Sequence, residues 1–263
     1  MIKSFIIAFS TYSKIPMPVI KWEEKNMKYT MCYFPLVGLV IGALLMLVNR
    51  ACNVLQMNSL VQGAFYTAIP ILVTGGIHMD GFMDTVDAKS SYGTYERRLE
   101  ILKDPHAGAF AIIYGCLYLM ISVALFTSLD WYEIVFVSAG YVYSRILSGL
   151  SVVCFRKAKK TGMLSDTAQH SSHKVKWILI FELLVFLCFL FGGTGYVDRV
   201  LHISLWRYAI GLSVAGLLAF LYYGYTAKRW FGGITGDLAG YFLQICELWI
   251  LIGITILKAV PAL

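Results

Sequence analysis

Residues 107–127 read AGAFAIIYGCLYLMISVALFT, a run without one charged side chain. About 20 such residues in a helix cross the roughly 30 Å hydrocarbon core of a bilayer, so this stretch predicts a membrane span. Working outward, comparable apolar stretches stand at 31–48, 60–77, 131–154, 177–193, 206–226 and 240–259. The fifth is cut short by Gly192-Gly193. The whole chain has 263 residues, 59% of them hydrophobic and 14% charged, with a mean hydropathy of +0.70. Soluble domains carry about 25% charge. The expected fold is therefore all-α: a polytopic integral membrane protein of about seven transmembrane helices, forming a single domain over 1–263. Within 1–30, the apolar piece at 2–12 is too short to cross and is expected to lie in the membrane interface, ahead of the Pro16-Met17-Pro18 break. It lacks the length and cleavage site of a signal peptide. The six cysteines show no CxxC spacing and read as small apolar residues, not disulfides or zinc ligands.

Lys and Arg set orientation. Lys3, Lys14, Lys21, Lys25 and Lys28 precede the first span, and Lys89, Arg97, Arg98 and Lys103 fall in the 78–106 connection. The 155–176 loop is strongly basic, with Arg156, Lys157, Lys159, Lys160, Lys174 and Lys176, and Lys228 and Arg229 join the same side. Only Arg50, Arg199, Arg207 and Lys258 fall on the other side. This bias predicts a cytoplasmic N-terminus in the inner cell membrane. The net charge of +7 is thus a topology signal, and nothing in it resembles a nucleic-acid surface.

The second span runs into Gly75-Gly76-Ile77-His78-Met79-Asp80-Gly81-Phe82-Met83-Asp84-Thr85-Val86-Asp87. Asp80, Asp84 and Asp87 recur at i, i+4 and i+7, within about a 60° arc of one helix face. Carboxylates so placed repel one another unless a cation sits among them, and hard divalent metals favour oxygen ligands. The blander reading is a solvated, acidic helix end. Asp104 lies in the same connection, and Asp237, in Gly232-Gly233-Ile234-Thr235-Gly236-Asp237, returns to the same membrane face. Glu247 lies deeper in the seventh span, Glu182 near the edge of the fifth, and Arg145 within the fourth. Ionisable groups inside spans face partners or watery cavities; Arg145 is also placed to snorkel to headgroups. Acidic ligands, an arginine and basic loops on one face suit an anionic, phosphate-bearing substrate. The glycine-rich 232–237 stretch has no Walker pattern and reads equally as a tight turn. His78 and His106 flank the acidic segment as proton carriers or structural histidines. His170 and His173 are expected to be solvated loop residues.

The order of these motifs resembles the adenosylcobinamide-GDP ribazoletransferase (cobalamin synthase) family. The stretch from Gly75 to Asp87 looks like its G-G-x-H-x-D-G-x-x-D-T-x-D signature, and Leu99 to Gly108 its L-E-I-x-K-D-x-x-x-G stretch. Phe9 to Pro18 resembles its F-x-T-x-x-P-x-P start, Tyr33 to Gly38 its first span, Ser144-Arg145 its S-R pair, and Gly233 to Asp237 its G-x-T-G-D motif. The chain departs at Ala88, where the family usually has glycine, and at Gln244, the first of two expected glutamates; only Glu247 remains.

The resemblance implies a Mg²⁺-dependent transfer late in cobalamin synthesis. The 5′-hydroxyl of α-ribazole, or of its 5′-phosphate, attacks adenosylcobinamide-GDP and GMP leaves. It further implies metal ligands among Asp80, Asp84, Asp87, Asp104, Asp237 and Glu247. Asp84, Asp87, Arg145 and His78 would serve the chemistry, and Arg145, Lys103, Thr235 and Asp237 the substrates. A second copy of the chain or other corrinoid-pathway enzymes are candidate partners beside the bilayer. Two rivals are a CDP-alcohol phosphotransferase, whose D-x-x-D-G-x-x-A-R pattern is absent, and a transporter, for which no internal repeat is seen.

Overall fold

The computed structural model describes residues 1–158, 163–202 and 204–260. In chain order its helices are α1 (Ile2–Tyr12), α2 (Glu24–Met27), α3 (Phe34–Val54), α4 (Ser59–Thr74), α5 (Ile77–Ser90), α6 (Tyr95–Ile101), α7 (Ala109–Phe126), α8 (Trp131–Cys154), α9 (Met163–His170), α10 (Lys174–Leu201), α11 (Trp206–Phe231) and α12 (Gly236–Ala259). No strand occurs among the described residues. Six helices (α3, α7, α8, α10, α11 and α12) are long and apolar enough to cross a membrane, and α4 with α5 gives a seventh candidate that is bent by 95°. The expected all-α, roughly seven-span architecture is therefore present.

The bend decides where the aspartates go. Gly75 and Gly76 have φ of +65° and +80°, a region penalised for residues with a Cβ. Their N–H groups donate to Leu72 and Ile71 carbonyls at 3.2 and 2.9 Å, closing α4. The chain then restarts as α5 in a new direction. With Asp80, Asp84, Asp87 and Lys89 in its 14 residues, α5 is the polar arm of this bent pair, and its charges suit the aqueous end of the bundle.

Helix α8 is the axis of the bundle, with most of its length buried. On α3, Gly38 and Gly42 lie so close to α8 that an added Cβ would strike the carbonyl oxygens of Tyr141 and Ser138. Small residues four apart allow this approach where lipid offers no hydrophobic gradient between helices. At the far end, Asp130 and Glu133 form a capping box on α8. Lys258 of α12 pairs with Asp130 at 2.7 Å, and Tyr208 of α11 donates to Glu133 at 2.7 Å. These bonds tie three helix ends together.

One sequence expectation changes. The fifth span does not stop at Gly192-Gly193, because α10 continues to Leu201. Glycine costs about 1 kcal/mol in a helix, but a break in hydrocarbon would leave backbone groups unsatisfied at greater cost. The N-terminal piece also packs inward. Ile7, Ala8 and Phe9 are buried, and Tyr12 lies 4.4 Å from Phe34, ring centre to ring centre. The basic 155–176 loop carries α9, whose His170 pairs with Glu24 at 3.2 Å; Lys159 and Lys160 lie outside the described residues. Cys52 and Cys246 sit in the core, whereas Cys116, Cys154 and Cys188 lie on helix exteriors.

Candidate active site

Helix α5 lies across the first turns of α12. A Cβ on Gly81 would come within 2.7 Å of the Asp237 carbonyl oxygen, and one on Gly240 within 3.1 Å of the His78 carbonyl oxygen. This two-glycine crossing presses the aspartate-bearing helix against the Thr235-Gly236-Asp237 turn. Thr235 caps α12 by accepting the Leu238 N–H at 3.2 Å, and its hydroxyl donates to Asp237 at 3.5 Å. Because the clash is with backbone, the site tolerates little at this point. Gly81→Val is expected to cost about 1–3 kcal/mol of stability through overpacking and to cut turnover, readable as a lower melting temperature in detergent.

The carboxylates feel one another's charge. The Asp84 carboxyl is raised to about 6, first by burial and then by the charges of Asp80, Asp237 and Asp87. Asp87 reaches the start of α7, where Gly108 leaves room for its carboxylate. The charges of Asp80 and Asp87 on α5 and of Asp237 on α12 thus act on one carboxyl, that of Asp84. Among the described residues, however, no three His, Cys, Asp or Glu side chains stand close enough to enclose a metal by themselves.

Beside this acidic face is a partly open cavity of about 290 Å³, lined in part by Tyr12, Phe34, His78, Asp80, Thr235 and Asp237. His78 is buried between Tyr12 and Phe34, with ring centres 6.4 and 5.9 Å away. Burial, and then the charge of Arg145, push its imidazole down to about 3.

Other predicted residues fall elsewhere. Asp104 accepts the N–H of His106 at 3.0 Å and its Nδ1 at 2.8 Å, contacts that hold its carboxyl below the usual range. Lys103 stands exposed beside it. Arg145 is 1% exposed and spends Nη1 on Glu247 at 2.7 Å, on the Tyr141 carbonyl at 2.9 Å and on Ser144 at 3.2 Å. Arg145 therefore neither snorkels nor offers this nitrogen to a substrate, and Glu247 answers the arginine instead of joining the aspartates.

One contribution went unread in the sequence. The Ile234 N–H donates to Arg156 at 2.8 Å, and its carbonyl accepts the Ala158 N–H at 2.9 Å. This short bridge clamps the 232–237 turn to the start of the basic loop, at Arg156 to Ala158. The clustering of Arg156 and Lys157 with other lysines had marked them only as topology signals.

Residues 4–255 match the family model described as cobalamin-5-phosphate synthase. An adenosylcobinamide-GDP ribazoletransferase of Lachnoclostridium phytofermentans is 42% identical over 259 residues, covering 98% of this chain and 95% of the relative. Enzymes of the same name from Clostridium botulinum and Trichormus variabilis are each 30% identical, with 94% of both chains covered. No solved structure matches. With nearly the whole length matched and six or seven apolar helices long enough to span a membrane, the chain belongs to the cobalamin-5-phosphate synthase family of enzymes.

Proposed function

We propose that this enzyme joins adenosylcobinamide-GDP to α-ribazole, or to its 5′-phosphate, releasing GMP on the cytoplasmic side of the inner cell membrane. The new bond links the ribazole 5′-oxygen to the cobinamide-bearing phosphorus, and the anhydride bond to GMP breaks. The observation that carries this reading is the charge of Asp80, Asp87 and Asp237 bearing on the half-buried carboxyl of Asp84. Like charges so gathered call for a cation, and the all-oxygen donor set fits Mg²⁺ in its chemistry.

Asp80, Asp84, Asp87 and Asp237 would hold the ion, which when bound would neutralise charge on the diphosphate. The protein's own groups have other tasks. A carboxylate of this set accepts the hydroxyl proton as the new bond forms. The N-terminal end of α12 favours a phosphate, and the backbone bridge from Ile234 ties the basic 155–176 loop to that end. The partly open cavity that Asp80 lines, with apolar walls from Phe34 and Leu243, shields part of a substrate from water. The cytoplasmic placement rests on the excess of Lys and Arg on the site's side of the bundle.

The test is GMP release by the purified chain from adenosylcobinamide-GDP and α-ribazole, with and without Mg²⁺. The expected result is release that needs all three. Release of CMP from a CDP-alcohol, or no nucleotide release at all, would overturn the reading.

A further inference from the structure

Helix α5 has a second face. Phe82, Val86 and Lys89 also recur at i, i+4 and i+7, turned about 180° from the aspartates. They line a separate cavity of about 410 Å³ whose other walls come from α7, α11 and α12. At one end the Lys89 ammonium donates to the hydroxyls of Tyr222 at 2.8 Å and Tyr241 at 3.2 Å, and it lies 5.1 and 5.3 Å from their ring centres. No carboxylate pairs with Lys89 among the described residues. An ammonium has three donors, and here two are spent on tyrosine hydroxyls. The cation is half-buried and uncompensated.

The rest of the cavity is apolar, and it opens sideways. Tyr114, Leu117 and Ile121 on α7 line it and are exposed on the outer surface of the bundle, where the bilayer lies. Tyr241 stands about 8 Å from the start of α12, whereas Ile121 and Leu248 stand about 18 Å from the starts of α7 and α12 on the same side. Positive charge and hydroxyls near the membrane face, with aliphatic walls running deeper, match an amphiphile with an anionic head.

We infer that this lateral cavity binds an anionic phospholipid of the adjoining leaflet. The headgroup phosphate meets Lys89, Tyr222 and Tyr241, and an acyl chain lies along Leu117, Ile121, Ile245 and Leu248. Charge complementarity selects the anionic headgroup over a zwitterionic one. The bound lipid braces the back of the helix whose front carries the aspartates. None of this depends on which reaction the acidic face performs.

The test uses the full chain in nanodiscs of phosphatidylcholine mixed with phosphatidylglycerol, with retained lipid counted by native mass spectrometry. The wild-type chain is expected to retain phosphatidylglycerol over phosphatidylcholine by roughly fivefold or more, the scale of one lysine at an anionic surface. Lys89→Gln should erase that preference and Lys89→Arg should keep it. Equal retention of the two lipids by the wild-type chain, or an undiminished preference in Lys89→Gln, overturns the inference. Should Lys89→Gln fail to fold, Ile121→Trp on the exposed wall decides. It should expel both lipids, and unchanged retention would overturn the site.

Discussion

Asp84→Asn is expected to lower GMP release by at least about 10²-fold while leaving membrane insertion and melting temperature at wild-type values or slightly above. The two halves of this result come from one geometry. Asp84 is the carboxyl on which Asp80, Asp237 and Asp87 all press, and its acid is raised to about 6. In the absence of a cation its charge works against the fold, so the neutral amide relieves repulsion and costs no packing. With substrate and metal present the same charge is needed, because an amide oxygen is a far weaker partner for a hard divalent ion. Losing a group that stabilises developing charge commonly costs 10²–10³ in rate. Asp104→Asn is the internal control. Its carboxylate is taken up locally by His106, so that variant is expected to keep most of its turnover. Equal damage from both substitutions would mean that the 102–108 loop closes over the site during the reaction. Full activity in Asp84→Asn would remove Asp84 from the chemistry altogether.

What the sequence made legible was set by strong, local physics. A bilayer demands apolar runs of fixed length, so the spans could be read, and helical periodicity alone put Asp80, Asp84 and Asp87 on one face. The alternation of basic loops placed Asp237 on the same side. What stayed hidden was tertiary or depended on a few backbone angles. Gly75-Gly76 turns the chain through 95°, yet adjacent glycines in a span also serve close helix packing, so the pair did not announce a bend. Gly192-Gly193 looked like a stop because the cost of glycine is local, whereas the reason to continue comes from the surrounding lipid. Tyr12 reaches the cavity wall because α1 folds inward, and an 11-residue apolar helix gives no sign of which surface it will choose. The ligation expected of Glu247 came from its depth and from the family pattern. A signal for its true partner was present all the same: Arg145 and Glu247, of opposite sign, both lie well inside spans, and opposite charges at depth find each other.

That pair carries the second large effect. Arg145→Met is expected to destabilise the protein by about 3–5 kcal/mol, because it strands the Glu247 carboxylate where only Ser144, at 3.1 Å, still donates to it. Glu247→Leu should do comparable damage by stranding the guanidinium. The double variant Arg145→Met with Glu247→Leu is expected to regain most of the lost stability, since two apolar side chains of similar volume need no desolvated charge. Thermal melting in detergent across this cycle measures the coupling. Turnover then separates two roles. Nη1 of Arg145 is consumed inside the core, so the folded double variant should bind adenosylcobinamide-GDP with a KM close to that of the wild type, and any loss should fall on kcat through a shifted α12. A KM raised by about tenfold in a double variant that melts normally would instead mean that Arg145 leaves Glu247 when substrate arrives and grips a phosphate. The buried pair would then be a latch for the site instead of a brace for the bundle.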